Sequence, residues 1–209
     1  TNKYFTTHYN FFMNALRRND EIDISYIKSK KSFDTSSLNN NFDGFTIATP
    51  AETHYEIAKT IMEAGKQVLV EKPLTLNIKH AEDLKFLSNK YKVNLMVGHV
   101  LLFHPAIQKI KELIIEGKIG KLQYIYSNRL NLGQVRTEEN VFWSLAPHDI
   151  SIFQFITNSH PQTIKASGVS FLQEGIYDST ITQFKYNNNI EGHIFVSWLH
   201  PFKEHRLVV

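Results

Sequence analysis

The alternation of apolar and polar residues along the chain changes its period once, and this change divides the sequence in two. Between residues 44 and 117, short and almost continuous apolar runs alternate with longer stretches whose apolar residues recur at helical spacing. The runs at 44–50, 67–73 and 93–99 predict strands, and the stretches between and after them predict helices. Strands and helices that alternate in this way are typical of a parallel sheet with both faces covered.

The predicted helices have recognisable ends. They span residues 51–65, 77–92 and 105–117. Gly65 and Gly117 stand at the ends of two of them, and Asn77 is placed to cap the start of the third. Nearer the start of the chain, the pattern predicts a helix over 4–19, a strand over 22–28 and a polar loop over 29–43.

Beyond residue 120 a period of two dominates. Strands are predicted over 121–132, 163–172, 179–186 and 190–199, a loop and a helix over 138–157, and a hairpin turn at 187–189. Strands without intervening helices favour an antiparallel sheet. We therefore predict an α/β chain with a parallel-sheet domain over 1–120 and an α+β domain, with an open and mainly antiparallel sheet, over 121–209.

Composition narrows the function classes. The net charge is +3 and the basic residues are spread along the chain, whereas a nucleic-acid binder carries a concentrated basic face. The chain has no cysteine, which excludes disulfides, thiolate metal sites and thiol nucleophiles. No apolar run approaches the ~20 residues that a membrane span requires. We predict no nucleic-acid partner, no membrane span and no metal site, with the cytoplasm as the default location.

Two charged residues end the second apolar run. Glu71 and Lys72 follow Val70 directly, at the carboxyl edge of the predicted sheet, where ligands gather in such folds. Pro73 restricts Lys72 to extended backbone angles, and a lysine aimed in this way can stabilise developing negative charge. The alternative is a solvated strand end that a proline terminates.

Other side chains have the chemistry that a site needs. His148 is a candidate proton acceptor, and His54 lies in the first turn of a predicted helix, where anions bind. Trp143 is a candidate pocket wall, and Arg129 and Arg136 are candidate partners for phosphate or carboxylate. The alternative for each of them is a core, capping or solvated residue, and for His148 taken alone this alternative is favoured.

The stretch "DGFTIATPAETHYEIAKTIMEAGKQVLVEKPL" (43–74) resembles the Gfo/Idh/MocA family of NAD(P)-dependent sugar oxidoreductases. The resemblance implies a Rossmann domain that binds NAD or NADP. It also implies a C-terminal domain whose open sheet mediates homo-oligomers, either dimers or tetramers. A small-molecule substrate is the implied partner.

The resemblance also assigns roles to single residues. Lys72 and His148 would be catalytic, and Ser144 stands where relatives often have an acidic residue or Asn, which weakens the implied proton relay. The residues implied to bind the cofactor are Thr49, Pro50, His54, Glu71, Lys72 and Trp143.

A second stretch, "NRLNLGQVRTEENVFWSLAPHDIS" (128–151), is similar to dehydrogenases of UDP-linked N-acetyl sugars or their uronic acids. The implied reaction oxidises a ring hydroxyl at C3 to a ketone. The residues implied to contact the sugar or the diphosphate are Arg129, Asn131, Arg136 and Asn140.

Family members open with a strand and a glycine-rich pyrophosphate turn, and this sequence contains no G-x-G-x-x-G. We expect a chain truncated at its N-terminus, with weaker cofactor affinity than an intact relative. The residues Lys28, Ser29 and Lys30 stand where relatives carry an acidic residue, which is compatible with NADP. The alternative function is a non-catalytic or degenerate relative that only binds a dinucleotide or a nucleotide sugar.

Overall fold

The computed structural model describes residues 35–39, 42–133, 135–137 and 139–209. The chain forms two compact units, divided between Gly98 and His99. The predicted helix over 4–19, the strand over 22–28 and most of the loop over 29–43 lie outside the described residues.

The first unit is built on a parallel three-stranded sheet. Its strands are β1 (Gly44–Ile47), β2 (Gln67–Val70) and β3 (Leu95–Val97), and its helices are α1 (His54–Glu63) and α2 (Ile78–Tyr91). The strands pair in the order β1-β2-β3, with a helix in each connection, which confirms the predicted alternation. The core between sheet and helices consists of Ile47, Ala58, Ile61, Met62, Val68, Val70, Leu84, Leu87 and Val93.

Local chemistry sets the helix ends of this unit. Helix α1 places Ile61 and Met62 in the core, and its chain reverses at Gly65, whose φ of +74° lies in the left-handed region that glycine tolerates. Helix α2 begins after Asn77, whose side chain accepts a hydrogen bond from the backbone N–H of Lys79 at 2.9 Å. Both features confirm what the sequence predicts.

The second unit is built on a five-stranded sheet. Its strands are β4 (Tyr124–Leu132), β5 (Thr163–Val169), β6 (Ser179–Lys185), β7 (Glu191–Ser197) and β8 (Leu199–Val208), and its helices are α3 (Pro105–Ile115) and α4 (Val141–Thr157). The order is β5-β6-β7-β4-β8, and every neighbouring pair is antiparallel except the parallel pair of β4 and β7. The prediction of an open, mainly antiparallel sheet is confirmed.

Helix α4 covers one face of this sheet. Phe153 and Ile156 of α4 belong to one buried cluster together with Ile194 and Val196 of β7. The hairpin between β6 and β7 turns at Asn187–Asn189, where Asn188 and Asn189 adopt φ values of +64° and +59°, as the Asn-rich turn predicts.

The division between the units comes earlier than the boundary predicted near residue 120. Helix α3 belongs to the second unit because Ile107 joins its core and Lys111 Nζ donates to the carbonyl of Ile156 at 3.1 Å. In the sequence, α3 looks like the next helix in the strand–helix alternation of the first unit. Only its contacts show that it belongs to the second unit. Within the described part of the chain, no helix has the length and apolarity needed to cross a bilayer.

Candidate active site

Two polar loops leave the same edge of the first sheet. Thr49 and Pro50 follow β1, and Glu71 and Lys72 follow β2, which is its parallel neighbour. The ladder between these strands closes with the backbone N–H of Glu71, which donates to the carbonyl of Ile47 at 2.9 Å. Ligands of open α/β sheets bind outside such carboxyl ends. The structure therefore brings these four predicted residues to the carboxyl edge of one sheet.

His54 lies between these loops rather than on their surface. Its side chain is 1% exposed. Nδ1 lies 2.8 Å from the carbonyl oxygen of Pro73, and Nε2 lies 2.9 Å from the carbonyl oxygen of Thr49. The resemblance implies a cofactor contact at this position, whereas the structure places the ring inside the protein.

A threonine stabilises the first loop as well. The Thr53 hydroxyl lies 2.6 Å from the hydroxyl oxygen of Thr49 and 2.7 Å from the carbonyl oxygen of Pro50. Thr53 immediately precedes α1, so the helix start and the loop before it form one hydrogen-bonded unit. The Thr49 side chain is thereby held at the sheet edge.

Gly98 makes room for the carboxylate of Glu71. A Cβ at residue 98 would lie 3.2 Å from the Glu71 carboxyl carbon, which is tighter than ordinary van der Waals contact. The backbone N–H of Lys72 donates to Glu71 Oε2 at 3.3 Å. Sequence reasoning missed Gly98, although a glycine directly after the apolar run of β3 is a signal of close approach.

Lys72 follows Glu71 at the sheet edge and is joined to Pro73 by a cis peptide bond. Its side chain is partly exposed. A partly exposed ammonium can reach a bound ligand and stabilise negative charge on it.

His148 lies on α4 in the second unit and is partly exposed. The next residue, Asp149, is 1% exposed and accepts a hydrogen bond from the Ser127 hydroxyl at 2.6 Å. Arg129 binds the same carboxylate through both nitrogens of a fork, Nε at 2.8 Å and Nη2 at 2.9 Å. Helix α4 is thus anchored to β4 beside His148.

The contact with Asp149 changes the interpretation of Arg129. The sequence predicts a sugar or diphosphate ligand there, but the side chain is 12% exposed and its guanidinium is held by Asp149. Sequence reasoning did not pair Arg129 with Asp149, because the two residues lie 20 positions apart in the sequence. His205 faces Arg129 across the strand pair, and burial followed by the charge of Arg129 lowers the pKa of His205.

The remaining predicted residues lie around the connection from β4 to α4. Asn140 caps α4 by accepting the backbone N–H of Trp143 at 3.1 Å, and the indole of Trp143 is 41% exposed. Arg136 Nη1 lies 2.8 Å from a carboxylate oxygen of Glu139. Asn131 lies near the end of β4, partly buried. Each of these four residues is accessible to some extent, and the carbonyl of Arg136 also accepts a hydrogen bond from Gln173 Nε2 at 3.1 Å.

The first two turns of α4, between Asn140 and His148, contain a buried serine and a proline. Ser144 is 7% exposed and lies one turn before His148, on the buried side of α4. Pro147 has no N–H, so it cannot make the usual helical hydrogen bond to the carbonyl of Trp143. The exposed indole and the proline lie within two turns of His148, on one helix.

Both units match known protein families. Residues 14–99 match the family described as an oxidoreductase family with an NAD-binding Rossmann fold. Residues 107–209 match the family described as the GFO/IDH/MocA C-terminal domain. The matched ranges reproduce the division of the structure into two units.

Individual relatives agree with this assignment. UDP-N-acetylglucosamine 3-dehydrogenase of Acidithiobacillus ferrooxidans is 31% identical over 129 residues, which are 61% of this chain and 40% of that protein. D-xylose 1-dehydrogenase [NADP(+)] of Haloarcula marismortui is 24% identical over 189 residues, covering 84% of this chain and 52% of that protein. The chain therefore spans about half the length of these curated relatives.

A solved structure confirms the fold. UDP-N-acetylglucosamine 3-dehydrogenase of Acidithiobacillus ferrooxidans superposes with a TM-score of 0.75 at 26% identity, over 86% of this chain and 58% of that one. With both domain types matched in order along the sequence, the chain belongs to the Gfo/Idh/MocA oxidoreductase family and carries its NAD-binding Rossmann domain.

Proposed function

We propose that the protein oxidises a ring hydroxyl of a nucleotide-linked sugar and transfers the hydride to NAD+ or NADP+. The proposed reacting carbon is C3 of a UDP-linked N-acetyl sugar or uronate. One observation carries the proposal. The loops with Thr49 and Lys72 leave neighbouring parallel strands at the same edge of the first sheet. The similarity to a UDP-N-acetylglucosamine 3-dehydrogenase supports the choice of sugar.

The proposed chemistry removes two hydrogens from one carbinol. Lys72 donates a hydrogen bond to the hydroxyl oxygen and stabilises its negative charge as the O–H bond breaks. His148 accepts the hydroxyl proton as general base. A bound nicotinamide supplies the acceptor for the hydride that leaves the carbon, so the alcohol becomes a ketone and the cofactor is reduced.

We assign substrate recognition to residues of the second unit. Arg136 is half exposed and its guanidinium pairs with the nearby Glu139, so the accessible part of the guanidinium can contact a diphosphate. Asn131 and Asn140 supply amide groups for sugar hydroxyls. Trp143 offers an exposed indole face for a sugar or nicotinamide ring. Arg129 contributes by holding Asp149, with its remaining N–H groups as further donors.

The open face of the second sheet supports homo-oligomerisation. Helix α4 covers one face only, and on the other face Tyr124, Ile181 and Val208 are 45%, 42% and 37% exposed. Exposed apolar patches of this kind mark interaction sites. We propose that a second copy of the chain covers this face, in a dimer or a tetramer. We place the reaction in the cytoplasm, where nucleotide sugars and dinucleotides are both present.

Reduction of the dinucleotide tests the function. The protein, expressed from its complete reading frame, is mixed with NAD+ or NADP+ and with UDP-N-acetylglucosamine, its uronate, D-xylose or myo-inositol. We expect an absorbance rise at 340 nm with a UDP-sugar and a 3-keto product in the mass spectrum. Reduction with a free sugar alone would overturn the substrate. Calorimetric binding without reduction would favour the alternative function, a non-catalytic binding protein.

A further inference from the structure

We infer that His54 is a positioning residue for Lys72 in the reaction proposed above, on which this inference rests. It holds together the two loops at the edge of the first sheet, without touching substrate or cofactor. The sequence resemblance implied a cofactor contact instead. The inference is carried by the contacts of the ring and by its burial.

Any hydrogen bond between His54 and these two carbonyl groups is donated by the ring. A carbonyl oxygen only accepts hydrogen bonds, so a ring nitrogen at 2.8 Å from Pro73 O or at 2.9 Å from Thr49 O must donate through an N–H. A neutral imidazole carries one such N–H, and a doubly protonated ring carries two. With the side chain 1% exposed, water does not compete for these contacts, and a buried hydrogen bond is stronger for that reason.

Both carbonyl groups lie on the loops beyond the ends of β1 and β2. Thr49 lies two residues beyond the end of β1, and Pro73 lies three residues beyond the end of β2. Both carbonyls are past the last ladder hydrogen bond, from Glu71 N to Ile47 O. His54 therefore extends the cross-link between the strands into the loops that carry the proposed chemistry.

Lys72 is directly coupled to this cross-link. The Pro73 carbonyl belongs to the residue after Lys72, so a displacement of Pro73 moves the lysine backbone. His54 itself is the first residue of α1, and a helix is a firmer base than a loop. A misplacement of about 1 Å at a reacting group can lower the rate by about 100-fold. Loss of the His54 contacts is expected to act in this way.

Two substitutions separate positioning from folding. His54→Leu removes both ring nitrogens and keeps an apolar side chain, and His54→Gln keeps an amide N–H that can donate to one carbonyl. His80→Gln is the matched control, because the His80 ring stacks on Tyr55 in the same unit, with ring centroids 3.9 Å apart, and makes no hydrogen bond to Thr49 or Pro73 among the described residues. Each variant is measured for kcat, KM, dinucleotide Kd and Tm.

We expect His54→Leu to lower kcat by about 100-fold, with KM and Kd changed by less than about threefold. We expect His54→Gln to recover at least about tenfold of that loss, and His80→Gln to behave as the unsubstituted protein. A kcat within about threefold of the unsubstituted protein in folded His54→Leu would overturn the inference. Failure of both His54 variants to fold would overturn it as well, because His54 would then serve folding.

A spectroscopic measurement on the unsubstituted protein separates the inference from the proposed function. With ¹⁵N-labelled histidine, we expect at least one His54 ring N–H proton that exchanges slowly with water, since it is buried and bonded to a carbonyl. Rapid exchange of both would contradict the cross-link. If this signal is present but no sugar is oxidised, the proposed function fails and the cross-link between the loops stands.

Discussion

The two units of the chain hold their candidate catalytic side chains by different physical means. In the first unit, Lys72 lies on a loop beyond a strand, and the contacts of His54 with two carbonyl groups secure that loop. In the second unit, His148 lies inside a helix. The neighbouring Asp149 anchors that helix through a buried ion pair with Arg129.

The two kinds of contact differ in the free energy of unfolding that is lost when each is broken. A hydrogen bond between neutral groups contributes about 0.5–1.5 kcal/mol to stability, so losing the His54 contacts is expected to displace a loop more than to unfold a domain. Breaking a buried ion pair by removing one partner leaves an uncompensated charge, at about 3–5 kcal/mol. We therefore expect that breaking the ion pair lowers the stability of the second unit. Breaking the His54 contacts should instead displace the loop that carries Lys72.

The largest expected effect is on the ion pair. Asp149→Ala should lower the free energy of unfolding by about 3–5 kcal/mol, because Arg129 would remain almost buried without an anion. Urea denaturation followed by circular dichroism measures the change. The double variant Arg129→Met, Asp149→Leu is the control, because it removes both charges, and it should lose clearly less. A loss below about 1 kcal/mol in Asp149→Ala would place the pair among ordinary surface ion pairs.

An acid titration sharpens the comparison. Burial raises the pKa of Asp178, but hydrogen bonds from the backbone of Leu172 and Phe171 and from the indole of Trp198 outweigh it, and the pKa lies below 3.8. A lowered pKa in the folded state means that the stabilisation is complete above the unfolded pKa and disappears as the pH falls through the folded one.

We therefore expect the second unit to lose stability as the pH falls below about 3.8. Asp178→Asn should lower the unfolding free energy at pH 7 by about 1.5–3 kcal/mol, and should flatten its acid dependence. Thermal unfolding between pH 3 and pH 7 measures both. An acid dependence identical in the variant and the unsubstituted protein would show that other groups govern it.

The smallest expected effect compares equivalent helix caps. Asn77 caps α2 in the first unit and Asn140 caps α4 in the second, each through its side-chain oxygen. Asn77→Ala and Asn140→Ala should each cost about 1 kcal/mol, measured by urea denaturation. Only Asn140→Ala should also raise KM for the sugar, because Asn140 is a proposed substrate contact. Equal KM values for the sugar in the two variants would show that Asn140 caps the helix and does not contact the substrate.

Sequence reasoning succeeded where the signal was local. The apolar runs of the first sheet, the helix ended by Gly65 and the cap at Asn77 depend on neighbouring residues, and the structure confirms them. Which of the two units contains α3 depends on the contacts of α3 with α4, about 40 residues later in sequence. Periodicity carries no information on such pairings.

The site was predictable in part for the same reason. The polar residues after β1 and β2 were recognisable because parallel strands bring their carboxyl ends to one edge. The burial of His54, the pairing of Arg129 with Asp149, and the space that Gly98 leaves for Glu71 depend on which side chains meet in the folded chain. Apart from Thr49, which lies five residues from His54, these partners lie 19 to 27 residues apart in sequence.

Turnover of Lys72→Met and His148→Asn, in protein expressed from the complete reading frame, tests the account most directly. The controls are Lys79→Met and His160→Asn, which alter exposed residues of the same types. The account predicts that UDP-sugar-dependent dinucleotide reduction falls by about 100- to 10,000-fold in both test variants while the controls stay unchanged. Turnover within about threefold of the unsubstituted protein, in either folded test variant, would contradict it.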